Sequence, residues 1–168
     1  MEPIFVNRHT RTEDVYREYL FYYYFKRFGA ILFLVLSSFI FIYGILNFVS
    51  NPTPAAICIL IPVLYFAFMI RSYTVSKKAF FLRDLELNGG KPMKTEHFVT
   101  DTAIATFSPS TQARYIISLQ KIKSVGKTEN LYLLYSKAGS LFIFQKNGFV
   151  KGAPEEFEAF FRARGFKF

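Results

Sequence analysis

FGAILFLVLSSFIFIYGILNFVSNPTPAAICILIPVLYFAFMI, positions 28–70, contains no Asp, Glu, Lys, Arg or His. In hydrocarbon every backbone N–H and C=O must find its partner within the chain, so a run this long and apolar reads as helix crossing a bilayer. Its one interruption, Asn51-Pro52-Thr53-Pro54, is a turn signal. The run therefore divides into spans at about 29–49 and 54–75, the second borrowing Ser72 to Val75 while Arg71 extends toward the headgroups. The first, 21 residues, rises about 32 Å against a hydrocarbon core of about 30 Å. Thr53 offers an N-cap with Pro54 at the first helical position, and Pro62 is expected to kink the second span.

Charge is distributed around this run. Residues 1–27 carry five Lys/Arg against four Asp/Glu, and residues 71–168 carry sixteen against eight, so the C-terminal part holds +8 of the formal +9. Lys26 and Arg27 precede the first span, Arg71, Lys77, Lys78 and Arg83 follow the second, and the connection at 50–53 is uncharged. The positive-inside rule places both termini in the cytoplasm. The same six residues are candidates for contact with anionic lipid headgroups. Tyr19, Phe21, Tyr22, Tyr23, Tyr24, Phe25 and Phe28 fit an interfacial aromatic belt on that side. The first 27 residues include four acids and the first apolar run exceeds a signal h-region, so that run reads as a retained anchor.

Small residues give a candidate helix–helix seam. Ala30, Ser37 and Gly44 recur every seven residues in the first span, and Ala56, Val63 and Ala67 are the expected counterpart in the second.

Outside the spans the pattern predicts mixed structure in two blocks, an N-terminal block at 1–27 and a folded domain at 76–168. Ile4-Phe5-Val6 is β-prone, and Thr10 and Glu13 have capping-box spacing for a helix at 12–27 running into the first span. A helix is expected at 76–87, stopped by Asn88-Gly89-Gly90. Strands are expected at 97–107, 114–119, 122–128, 131–135 and 140–145, with turns at Ser108-Pro109-Ser110, Glu129-Asn130 and Lys137-Ala138-Gly139. A final helix opens at Pro154-Glu155-Glu156, turns Phe157, Phe160 and Phe161 to one face, and ends at Arg162 and Arg164 before Gly165. The fold class is a membrane α-helical hairpin (28–75) plus an α+β cytoplasmic domain.

The order of stub, hairpin, Ile117-Ser118-Leu119-Gln120-Lys121-Ile122-Lys123-Ser124-Val125, Leu131-Tyr132-Leu133-Leu134-Tyr135 and Phe142-Ile143-Phe144-Gln145-Lys146-Asn147-Gly148-Phe149 before a helix resembles the YcxB-like family. That resemblance implies a two-pass protein of the bacterial inner membrane. It also implies an antiparallel β-sandwich or partial barrel similar to a pleckstrin-homology (PH) domain, capped by the C-terminal helix. It names no reaction.

The chemical inventory points away from catalysis. His9 and His97 are the only histidines, and although His97 and Asp101 fall on one face of the expected strand, about 13 Å separates them, too far for one metal ion. Cys58, the single cysteine, lies in the second span and builds neither a disulfide nor a thiolate metal site. Ser124 to Lys127 matches Ser-x-x-Lys in spacing only, and Gly89-Gly90 lacks the rest of a phosphate loop. No cofactor, metal or nucleic acid is expected. The sequence supports a non-enzymatic interaction or regulatory module, with a lipid-binding protein and an accessory subunit of a membrane enzyme or transporter as alternatives. The expected partners are the bilayer and a protein or a second copy of the chain.

Overall fold

The computed structural model describes residues 2–168 and resolves two compact units, residues 20–79 and residues 2–19 with 80–168.

The first unit is helical. A turn of π-helix, Tyr22–Lys26, follows α1 (Glu13–Phe21), and Arg27 is extended at φ −67°, ψ 139° before α2 (Phe28–Asn47) begins. The helix expected to run unbroken from 12 into the first span is therefore interrupted, with Arg27 donating its N–H to Tyr22 O five residues back at 2.9 Å. After Asn51, α3 (Pro52–Leu87) runs for 36 residues through Pro62. It absorbs both the expected second span and the separate helix at 76–87, and starts two residues before Pro54. Helices α2 and α3 are each long and apolar enough to cross a membrane, and their apolar windows are only 11% and 17% buried within the chain. A core helix of a water-soluble fold buries most of such a surface. Hydroxyl and amide groups in these helices bond back by one turn, Ser38 Oγ to Leu34 O, Asn47 Nδ2 to Tyr43 O and Thr74 Oγ1 to Ile70 O, each at 2.9 Å.

Ala30 is half-buried and Ser37 and Gly44 are buried. A Cβ built on Gly44 would stand 2.9 Å from Ala55 O and 3.0 Å from Cys58 Cβ, so glycine is what lets the two backbones approach. On α3 the expected set is corrected. Ala56, Val63 and Ala67 are exposed, whereas Ala55, Pro62 and Met69, also seven residues apart, are buried. A shift of one residue turns a helix by about 100°, which residue size alone does not register. Replacing Gly44 by Leu overpacks this contact, at an expected cost of about 1–3 kcal/mol. Half-buried Cys58 should then react faster with a membrane-permeant maleimide, and an unchanged rate would refute the close approach.

The second unit is a mixed α/β domain of two antiparallel sheets. Strands β1 (Phe5–Thr10), β2 (Lys94–Val99), β3 (Ala103–Ser108), β4 (Ala113–Ser118) and β8 (Phe149–Lys151) form a sheet in the order β4-β3-β2-β1-β8. Strands β5 (Ile122–Lys127), β6 (Leu131–Ser136) and β7 (Leu141–Gln145) form a three-stranded meander. The single strand expected at 97–107 is a hairpin. Its turn at Thr100-Asp101-Thr102 is closed by Ala103 N donating to Thr100 Oγ1 at 3.1 Å, and Asp101 leaves the strand to meet Arg164 at 3.4 Å. Thr10 belongs to β1 and does not cap a helix. The expected division into 1–27 and 76–168 also gives way, since β1 pairs with β2 over six residues, from Phe5↔Val99 to Thr10↔Lys94, and with β8 on its other side.

Alternation along the strands sends Phe5, Val99, Ile104 and Ile117 of the larger sheet toward Tyr132, Leu134, Phe142 and Phe144 of the smaller, forming the core. Helix α4 (Pro154–Arg162) closes it: the Phe157 ring lies 4.9 Å from Phe144, 5.3 Å from Tyr132 and 5.4 Å from Phe5. Phe157 and Phe161 are wholly buried and Phe160 partly. Strand β6 is buried on both faces, Leu131 and Leu133 lying opposite the core face. Glu18 of α1 ties its helix to the β5–β6 turn, accepting from Thr128 Oγ1 at 2.5 Å and Asn130 N at 2.7 Å. Gly152, at φ +78°, follows β8 directly beneath the Phe5 ring, where a side chain has no room.

Candidate functional site

Pairing of β1 with β2 brings distant polar residues onto the inner face of the larger sheet. Asn7, wholly buried, donates from Nδ2 to Gln145 O at 2.7 Å, tying β1 to β7. His9 and His97 stack with ring centres 5.3 Å apart, and His97 also packs 4.4 Å from Phe144. Nδ1 of His9 meets Asn7 Oδ1 at 3.2 Å, and Nδ1 of His97 meets Thr106 Oγ1 at 2.8 Å, while Nε2 of both rings is buried without a partner. Burial, and then the neighbouring Arg11 charge, depress His9 to about 4. His97 is held well below 6.5 by burial and by the charges of His9 and Arg11. Both are neutral at physiological pH. Among the described residues no three His, Cys, Asp or Glu side chains gather where they could hold a metal ion.

The same domain buries a carboxylate. Asp84, on the last turns of α3, accepts a hydrogen bond from Tyr16 Oη of α1 and has Arg11 Nη1 and Arg83 Nη2 each at 3.7 Å. Burial and the bond to Asp84 raise the Tyr16 phenol to about 12, so it remains a donor. Above this network opens a cavity of about 430 Å³. Arg11 and Arg83 rim it, Leu87, Met93 and Tyr115 supply apolar wall, and Arg114, in register with Phe107 on the outer face, borders it from β4. Thr95, Thr106 and Ser108 contribute hydroxyls.

The outer face of the same sheet differs in character. Phe98, Ala105, Phe107 and Ile116, with Arg114 beside them, line a mostly apolar groove of about 680 Å³, and β4 is an edge strand of the sheet.

The basic residues singled out from sequence fall into different settings. Lys26 Nζ stands 5.7 Å above the Phe21 ring and the Arg27 guanidinium 5.6 Å above Tyr23. Arg71 and Lys78 are exposed and Lys77 is half-buried. These five belong to the helical unit, and Arg83, 5.2 Å over Phe80, belongs to the β domain and reaches the cavity. Arg11 and Arg114 were not singled out. No local pattern links Arg11, which follows β1, with Arg114 in β4, because they stand a hundred positions apart.

Comparison with known protein families, curated proteins and solved structures finds no match for this chain.

Proposed function

We propose that the chain is a two-pass protein of the bacterial inner membrane, YcxB-like, that holds a PH-like interaction or regulatory module on the cytoplasmic surface and carries out no catalysis of its own. The observation that carries this reading is α3. Its apolar stretch and the turns bearing Tyr16-bonded Asp84 belong to one helix of 36 residues. The basic residues Arg71, Lys77, Lys78 and Arg83 follow the apolar stretch along that helix, each adding about 1 kcal/mol of attraction to an anionic leaflet when near its surface. The apolar outer groove and the open edge of β4 support protein contact as the module's task.

The test is cysteine topology mapping in intact cells and in permeabilised ones, on a chain with Cys58→Ala. An impermeant maleimide should reach Ser50→Cys in intact cells and Lys91→Cys only after permeabilisation. Labelling of both from one side, or release of the protein by alkaline carbonate, would overturn the reading.

A further inference from the structure

We propose that the edge of β4 takes up an extended segment of an acidic partner protein as an added strand of the larger sheet, with a carboxylate of that segment facing Arg114. The inference rests on the reading of the domain as an interaction module, and it names the surface and the partner's chemistry.

Among the described residues, β4 alone of the edge strands is long, regular and bare. Strand β8, at the other end of the larger sheet, spans three residues and pairs with β1 through a register shift. In the smaller sheet β5 carries Lys123 and Lys127 and a register shift of its own, and β7 is tied to β1 by the bond from Asn7 to Gln145 O. Short strands, irregular pairing and lysines keep an edge from pairing with another chain. Strand β4, Ala113-Arg114-Tyr115-Ile116-Ile117-Ser118, runs six residues in unbroken register with β3 and holds no lysine, proline or glycine. Its Tyr115 is 46% exposed and its Ile116 58%. Just beyond it Leu119 donates its N–H to Thr102 O at 2.8 Å, and such bonding recurs at every second residue of an antiparallel ladder. The N–H and C=O groups of Arg114 and Ile116 therefore point away from β3, to the open side.

The side chains of the same two residues belong to the outer face. Val6, Phe98, Ala105 and Ile116 form one row across the sheet, and Arg8, Glu96, Phe107 and Arg114 form the next. Glu96 is matched by Arg8 at 3.2 Å. Arg114, with Phe107 between it and Glu96, forms no ion pair or side-chain hydrogen bond among the described residues. With exposed Lys94, this face of β1 to β4 carries three cations against one carboxylate. A strand laid beside β4 sets one residue directly opposite Arg114, about 5 Å away between Cβ atoms, where a carboxylate attracts and a like charge repels. In the antiparallel sense, the more stable one, an aliphatic residue two positions before that carboxylate falls opposite Ile116. A second copy lacks this complement, because the only charge on β4 is Arg114 and residues 71–168 carry sixteen Lys/Arg against eight Asp/Glu.

The experiment uses the full chain in dodecyl maltoside. The probes are the fluorescein-labelled peptide Thr-Val-Val-Thr-Glu-Thr and the same peptide with Lys in place of Glu, each followed by anisotropy. The chain should bind the Glu peptide about threefold or more tightly than the Lys peptide, and Arg114→Glu, at an exposed position, should reverse that order. Ile116→Pro removes an N–H directed to the open side, so it should abolish binding of both peptides, whereas Ile116→Val should retain it. Absence of binding, equal affinity for the two peptides, or an order that Arg114→Glu leaves unchanged overturns the proposal. A dimer of the full chain that Ile116→Pro dissolves gives the edge to a second copy and overturns it as well. Cysteine topology labelling does not involve β4, so the membrane reading stands or falls separately.

Discussion

A chain lacking residues 2–12 should lose the β domain altogether. Strand β1 is internal to the larger sheet, with β2 on one side and β8 on the other, and its removal leaves both neighbours with open ladders. It also withdraws Phe5 from the core, where that ring meets Phe157 at 5.4 Å and Phe160 at 5.3 Å. Truncating one buried phenylalanine costs about 3–5 kcal/mol by itself, against a typical domain stability of 5–15 kcal/mol. The lost ladder and the bond from Asn7 to Gln145 add to that cost. A fragment of residues 76–168, which sequence segmentation presents as the folded domain, should fail for the same reason. Hydrogen exchange in the full-length deletion chain should show β2 and β8 unprotected, and native-like protection there would refute the central role of β1.

Acid should destabilise the same sheet through its two buried histidines. His9 and His97 have native pKa values below the ordinary 6.5, so below pH 6.5 the unfolded chain binds two protons that the folded chain does not. Stability therefore rises with pH in this window and falls as pH drops through it. At pH 5 the loss is roughly 2 kcal/mol for His9, and His97 adds to it in the same direction. The opposite case lies lower. Glu158, held down to about 2 by hydrogen bonds from Lys127 and Arg162, contributes stability above 4.5 that fades only as pH falls below that value. Denaturant unfolding of the full chain between pH 7 and pH 5 should report the histidine slope, and the ring resonances of both histidines should stay at their neutral positions down to pH 5. A flat stability profile, or titration of both rings near 6.5, would refute their burial in the neutral form.

Much of this was legible in local pattern. The vacancy of charge at 28–70 and the turn at Asn51-Pro52 anticipate two long apolar helices, and the Phe157–Phe161 stripe anticipates which face of α4 is buried. The β5–β7 meander follows the expected segments closely because neighbouring strands joined by short turns pair locally. Where β2 and β3 were read as one strand, the turn Thr100-Asp101-Thr102 carries neither glycine nor proline, and the break rests on side-chain hydrogen bonds of Thr100. Strand β8 spans three residues, too short for alternation to register.

Sequence alone determined the hydrophobic class of α2 and α3, the spacing of Ala30, Ser37 and Gly44, and the existence of an antiparallel β domain, because each depends on composition or on a period of a few residues. Tertiary structure alone decided that β1 joins a sheet built some ninety positions later, that His9 stacks on His97, and that Arg11 and Arg83 meet at Asp84. It also decided that Ala55 and Pro62, not Ala56 and Val63, face inward on α3. A strand's alternation and a helix's period state which residues share a face. They leave open which distant strand or helix that face meets, since the free energy of that choice resides in contacts between segments and in neither segment by itself.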